Sequence, residues 1–266
     1  MDLKNYQVNK ICHSANHPYL YKDLLTTQLN FDIDCHYFDS IPSTNDYLTT
    51  LAFSPKTQVC ITAEQTQGKG QHNREWLSNK NSSILLSIRR VFSTDIQLSG
   101  LSLVAGLAIV EVLKNYGITG LALKWPNDVY HKNKKLAGIL IENSIQKQRQ
   151  SVVIGMGLNV DVVNDCDTPW TNLRAISTQN INRFELTKDL INKILEFCQI
   201  FENQGFAYFS QQWAAVDYLQ GKQVQYKNNS HTFLGTCLGV DASGVLLVKT
   251  KKSINPVYSS EFLTLY

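Results

Sequence analysis

No Cys-x-x-Cys pair occurs in the 266 residues, and the six cysteines (Cys12, Cys35, Cys60, Cys166, Cys198 and Cys237) are scattered. That pattern argues against a disulfide framework and against a structural zinc site, and it fits a reducing cytoplasm. Three of the cysteines sit in apolar settings and read as buried thiols. The amino-terminal "MDLKNYQVNKICHSANHP" lacks an apolar core of signal-peptide length, and no stretch approaches a membrane span. Excess charge is also scarce. A net charge of +3 falls short of the dense basic face of a dedicated nucleic-acid binder, so no nucleic acid is expected as partner. It remains compatible with anionic small ligands or an acidic partner. G-x-x-x-x-G-K-[ST], G-x-S-x-G and H-E-x-x-H are all missing, which removes support for phosphate-loop, hydrolase-elbow and zincin readings. No internal repeat is present, and a solenoid is excluded.

What is present is ordinary globular material, 43% apolar and 18% charged, long enough for one large domain or one plus a small one. A short helix-like "LYKDLLTTQL" occupies Leu20 to Leu29. "QVCITAE", Gln58 to Glu64, reads as a strand, and "SILLSIRRVF" from Ser83 as another. In "LSGLSLVAGLAIVEVLKNYG", Leu101, Val104, Ala105, Ala108, Ile109, Val112 and Leu113 fall at helical spacing, with Gly117 placed to end the helix. Three strand-like runs follow, "LALKW", "KLAGILIEN" and "SVVIGMGLNV", the first two joined through "PNDVYHKNK" as a hairpin connection. A second amphipathic helix begins near Leu186, with Leu190, Ile194, Cys198 and Phe201 on one face and Gly205 at its end. "FAYFSQQW" adds a short one. From Gly221 the texture changes to short β segments broken by "KNNS", "DASG" and "KKSINP", which suggests a small barrel beginning near residue 219.

Between the first two strands runs "QTQGKGQHNREW", residues 65–76, eleven residues without an aliphatic side chain before Trp76. Alone it reads as a solvated loop, although its place between two strands would suit a mobile lid. "KWPND", Lys124 to Asp128, breaks a strand at a proline, which donates no ladder bond. It then presents an Asn-Asp pair beside a lysine. As chemistry, that lysine and aspartate could hold a phosphate and its magnesium ion; as architecture, they decorate a turn. "KKLAGILIE" sets Lys135 before Ala137-Gly138, and "GMGLNV" sets Gly155 and Gly157 in a strand ending at Asn159. Glycine in a strand marks either a bulge or the close approach of a ligand. "IPSTND" offers Ser43, Thr44 and Asn45 as an N-cap cluster or as short hydrogen-bonding groups for a compact polar ligand.

Five segments in this order, "STN" (43–45), "QTQGKGQHNREW" (65–76), "KWPND" (124–128), "KLAGIL" (135–140) and "GMGLN" (155–159), resemble the biotin protein ligases from about residue 36 onward. The resemblance implies an α+β catalytic domain over 36–218, related to class II aminoacyl-tRNA synthetases. An SH3-like β-barrel over 219–266 would follow it, and 1–35 would be an extension or linker. It implies a two-step reaction: biotin and ATP give biotinyl-5′-AMP and pyrophosphate, and a lysine of the biotin carboxyl carrier domain of acetyl-CoA carboxylase then takes the biotin. Lys135, Lys69 and Arg74 would be catalytic, and Asp128 would serve magnesium. Ser43, Thr44, Asn45, Gln65, Gly68, Lys69, Gly70, Gln71, Lys135 and Gly138 would hold biotin. Arg74, Trp76, Lys124, Asn127 and Asn159 would hold ATP. The expected setting is cytoplasmic, without a membrane partner, as a monomer or homodimer. This chain departs from the family pattern at Lys69 and Gln71, where arginines are usual, and at Asn73, where glycine is usual. Lysine keeps a charge but loses the planar fork, and Gln71 loses the charge. A lipoate or octanoate ligase is the competing enzyme, against which "KWPND" and the barrel argue. A biotin-responsive repressor would need a winged helix, for which 35 residues are short.

Overall fold

In the computed structural model, residues 26–162, 169–228, 231–259 and 263–265 are described. Most of the helix-like run at 20–29, and with it any remnant of a winged helix, falls outside them; 26–28 are helical. The chain then runs β1 (Ile33–Phe38), α1 (Thr44–Thr50), β2 (Thr57–Thr62), β3 (Ser83–Ser93), α2 (Leu101–Asn115), β4 (Leu121–Lys124), β5 (Asp128–His131), β6 (Lys134–Gln146) and β7 (Arg149–Asn159). After these come α3 (Leu173–Ile176), α4 (Arg183–Gln204), α5 (Ser210–Ala214), β8 (Gln223–Asn228), β9 (His231–Val240), β10 (Leu246–Lys249), β11 (Ile254–Val257) and β12 (Leu263–Leu265).

Seven strands form one sheet in the order β1-β2-β3-β7-β6-β5-β4, with β1 parallel to β2 and the other pairs antiparallel. The last five strands form a second, antiparallel sheet, β11-β10-β9-β8-β12, the SH3-like C-terminal unit. "DVYH" within the expected hairpin connection is itself a strand, β5. It is four residues long and lies between two turns, so its alternation is too brief to announce it.

The two faces of the large sheet are distinguished by strand alternation. Val59, Ile84, Leu86 and Ile88 join α2 and α4 in the main core, whereas Cys60 packs with Leu48 of α1 and Val153 on the opposite face. Helix α4 buries Leu186, Leu190, Ile194, Cys198 and Phe201, and its N-cap Asn182 side chain accepts from Phe184 and Glu185 backbone amides. Helix α1 starts at Ser43, whose hydroxyl accepts from the Asp46 amide at 3.3 Å. At its other end the buried Arg89 guanidinium donates to the carbonyls of Leu48, Leu51 and Ala52 and also reaches Gln58 and Ser151. Burial lowers the pKa of Arg89, yet the terminal carbonyls that a helix leaves unpaired are satisfied by it.

Helix α1 packs on β2, β3 and β7 and leaves the remainder of that face, toward β4, open. The site lies there.

Candidate active site

Strand register, rather than sequence proximity, assembles the site. Cross-strand partners point to the same side of a sheet, and one row runs Leu85, Gly157, Gly138, Asp128, Lys124 across β3, β7, β6, β5 and β4. A neighbouring row runs Cys60, Ser87, Gly155, Leu140. Lys135, three residues from Gly138, would face away in a regular strand. A register shift between Val129 and Tyr130 sets Lys135 opposite Tyr130 and so turns it to the Asp128 side. The strap at 169–171 pins the same point: the Lys135 amide donates to Pro169 O, and the Thr171 amide donates to Lys135 O.

Above these rows is a cavity of about 470 Å³. Its first end is neutral and hydrogen-bonding. The Thr44 amide and hydroxyl donate to Gln65 Oε1 at 2.8 and 2.9 Å, and Ser87 Oγ is 2.7 Å from Thr44 Oγ1 and 2.6 Å from Asn45 Oδ1. Asn45 Nδ2 donates to Glu142 Oε2 at 2.6 Å. A Cβ on Gly155 would stand 2.3 Å from Asn45 Oδ1, so glycine there is what lets α1 set its polar tip down on the sheet.

The second end is cationic. Lys135 Nζ pairs with Asp128 Oδ1 at 2.7 Å and lies 5.4 Å from the ring centroid of Trp76. Lys124 Nζ stands 5.3 Å from the centroid of Tyr130 and 3.5 Å from its hydroxyl. Burial pushes the Lys124 amine below the ordinary lysine range, Asp128 opposes that shift, and the positive charges of Lys135, Arg74 and Lys222 add to it. Burial raises the Tyr130 phenol, which keeps it a neutral hydrogen-bonding group.

Between the two ends the indole of Trp76 lies across the paired glycines. A Cβ on Gly138 would come within 2.8 Å of the ring and one on Gly157 within 2.4 Å. Trp76 Nε1 is buried without a hydrogen-bond partner. The segment before it is folded as a small hairpin: Gly70 N donates to Arg74 O, Trp76 N donates to Gly68 O, and Lys69 pairs with Glu75 in the backbone. Lys69 Nζ is tied to Asp46 at 2.7 Å, which holds its pKa up through that hydrogen bond.

Of the residues singled out in the sequence, Ser43, Thr44, Asn45, Gln65, Lys69, Gly70, Gln71, Arg74, Trp76, Lys124, Asn127, Asp128, Lys135, Gly138 and Asn159 line this one cavity. Gly68 does not. It is buried beneath the hairpin, and a Cβ there would meet Trp76 O at 2.6 Å, so its role is backbone packing under the tryptophan. Gly138 also differs from expectation, being covered by Trp76 rather than open. The amides of Asn127 and Asn159 are engaged in donating to Ile139 O and Thr171 O and brace the walls. Ser87, Tyr130 and Glu142 are not among the residues that the motifs single out, whereas Gly155 and Gly157, marked in the sequence as a bulge or a close approach, line the cavity. A serine within apolar β3 and a glutamate within apolar β6 were the available signals.

Asp128 offers a half-buried carboxylate whose Oδ1 is buried, with no hydrogen-bonding partner of good geometry. No cluster of three or more His, Cys, Asp or Glu suited to a metal occurs among the described residues. A single carboxylate matches magnesium, which is commonly held by one or two carboxylates, water and substrate phosphates rather than by an all-protein cage.

Residues 37–159 match the biotin/lipoate A/B protein ligase family. The bifunctional ligase/repressor BirA of Escherichia coli is 31% identical over 231 residues, which span 83% of this chain and 71% of that protein. A biotin–[acetyl-CoA-carboxylase] ligase of Mycobacterium tuberculosis is 35% identical over about half of each chain, 51% and 52%. The solved biotin protein ligase of Aquifex aeolicus in complex with biotin and ATP superposes with a TM-score of 0.75 at 26% identity, over 88% of this chain and 99% of that one. A likeness sustained over most of both chains, on a common two-sheet fold, makes this chain a member of the biotin protein ligase family.

Proposed function

We propose that the protein activates biotin with ATP and transfers it to a lysine of the biotin carboxyl carrier domain of acetyl-CoA carboxylase. One observation carries the reading: a single cavity joins a neutral hydrogen-bonding end at Thr44, Asn45 and Gln65 to a cationic end at Lys124, Lys135 and Arg74. A neutral bicyclic urea with an acyl tail suits the first, and a polyphosphate suits the second. The carboxylate at the end of the tail then meets the α-phosphate between them.

In the first step a biotin carboxylate oxygen bonds to the α-phosphorus, the bond from that phosphorus to the bridging oxygen breaks, and pyrophosphate leaves with the electron pair. Two anions must approach each other, so cations have to offset the repulsion and stabilise charge that builds up in flight. Lys135, aimed at the junction by the β5–β6 bulge, is the residue for the carboxylate and the α-phosphoryl oxygens. Arg74 and Lys124 attend the remaining phosphates. Asp128 is the residue to hold magnesium, which neutralises phosphate charge when bound. In the second step the carrier lysine's amine attacks the acyl carbon, AMP departs, and the amine loses a proton. The 65–76 hairpin, with Gly68, Lys69, Gly70 and Gln71, covers the anhydride against water.

The test is pyrophosphate release with ATP and either biotin or lipoate, followed by label transfer to a purified carrier domain. Biotin-dependent release and carrier labelling are expected. Release with lipoate and none with biotin would assign the chain to the other branch.

A further inference from the structure

Two ways of holding a lysine coexist around the cavity. Lys69 and Lys135 are each paired with a carboxylate, Asp46 and Asp128. Lys124 and Lys222 form no ion pair among the described residues; both rest on tyrosine rings. Lys222 Nζ sits 3.1 Å from the ring centroid of Tyr218, the Tyr218 ring is 5.0 Å from that of Tyr130, and Lys124 Nζ is 5.3 Å beyond it. The stack is rigidly mounted. Tyr218 N donates to Leu123 O, the Leu123 amide donates to Val216 O, and Tyr218 Oη donates to Asn133 Oδ1. Lys222 is itself fixed at the entry to the C-terminal sheet, donating from its amide to Leu219 O and accepting from Cys237 N at its carbonyl. A cation seated on an aromatic face keeps its charge unspent, unlike one neutralised by a carboxylate. The field of Lys222 reaches the cavity, where it is among the charges opposing protonation of Lys124. Asp128 and Asp217 act on Lys124 and Lys222 only at longer range, so among the described residues neither lysine, both near the phosphate end, is neutralised by a contacting carboxylate.

We infer that Lys222 is a diphosphate-binding residue of this site, contacting the terminal phosphates of ATP and the pyrophosphate they become. This rests on the adenylating reading above. Lys135 shares its charge with Asp128, so Arg74, Lys124 and Lys222 supply the balance of charge for a highly anionic leaving group. Free diphosphate and the β,γ-phosphates of ATP share the chemistry, and separate ligands distinguish them.

The experiment compares wild type, Lys222→Met and Lys222→Arg. Calorimetric titration with pyrophosphate, ATP and AMP is combined with KM values for ATP and biotin and with thermal melts. Loss of one charge-assisted phosphate contact is worth roughly tenfold or more in affinity. Lys222→Met should weaken pyrophosphate and ATP by about that factor, leave AMP and biotin unchanged, and be rescued by Lys222→Arg. Unchanged pyrophosphate affinity would overturn the inference, as would an equal loss for AMP and biotin accompanied by a lowered melting temperature, which would make Lys222 a brace for Tyr218. If wild type releases no pyrophosphate from biotin and ATP, the proposed reaction fails. Direct pyrophosphate titration of wild type against Lys222→Met still decides the role of Lys222.

Discussion

Lys124 and Lys135 share a cavity, yet their surroundings give them different duties. Lys135 is paired with Asp128 at 2.7 Å and is aimed by a bulge, so its charge is delivered to one place. Its amine is needed where charge develops, which makes the loss specific to the chemical step. Lys135→Ala should reduce biotin-dependent pyrophosphate release by at least about a hundredfold, on the scale of removing one donor to a developing charge, with an unchanged melting profile. Release at the wild-type rate would remove Lys135 from the mechanism. Lys124 is half-buried, and its amine is pushed below the ordinary lysine range chiefly by desolvation. It therefore loses its proton at lower pH than a free lysine, and its help to ATP vanishes as pH rises through that depressed value. KM for ATP should climb on the alkaline side before ordinary lysines titrate. Lys124→Arg, which stays charged, should flatten the climb. An identical profile in the two proteins would assign the alkaline limb elsewhere.

The elements show how a glycine-lined floor is made. Gly155, Gly157 and Gly138 come from two strands that the register sets side by side, and two other segments settle onto them: the tip of α1 through Asn45, and the 65–76 hairpin through Trp76. Adding one methyl at Gly155 would place it 2.3 Å from Asn45 Oδ1. Gly155→Ala should thus lift Asn45 and Thr44 off the sheet and raise KM for biotin several-fold or more, with a smaller effect on KM for ATP. The outcome that counts against this floor is equal effects on both substrates. The elements themselves were largely legible in the sequence: Leu190, Ile194, Cys198 and Phe201 marked α4, Gly205 its end, and "STN" the start of α1. The site was legible as a set of segments but not as an arrangement. Ser87 and Glu142 lie 42 and 97 residues from Asn45 in the chain, and only strand register brings them together. The indole's position over two glycines was equally hidden, because contacts across a sheet leave no local periodicity. Gly68 falls outside the cavity lining for a related reason: its neighbour is the backbone of Trp76, eight residues on, across a hairpin that polarity alone does not reveal.

At the scale of the whole molecule, the two sheets share one core. Val224, Cys237, Leu246, Val248 and Val257 of the second sheet belong to the same buried cluster as α2, α4 and the large sheet. The joint is at Trp125, between β4 and β5. Its buried indole donates to Gly244 O at 3.0 Å, in a turn held by Asp241, while Ser99 Oγ donates to Ser243 O at 2.7 Å. Gly244 approaches Gly100 so closely that a Cβ would stand 2.8 Å from its Cα, and the backbone of Leu123 pairs with 216–218. The segment that docks the C-terminal sheet is therefore the segment that carries Lys124, Asn127 and Asp128. Trp125→Phe keeps much of the apolar volume but leaves the Gly244 carbonyl buried and unpaired, at a cost of about 1–3 kcal/mol. A shared core predicts one cooperative transition at a lower temperature, coincident by fluorescence and far-UV circular dichroism. Because Trp125 borders the phosphate end while Thr44 and Asn45 stand on α1 across the sheet, KM for ATP should rise more than KM for biotin. Two resolved transitions would mean that the C-terminal sheet folds apart from the rest. An equal rise in both constants would mean that the joint steadies the site as a whole rather than its phosphate end.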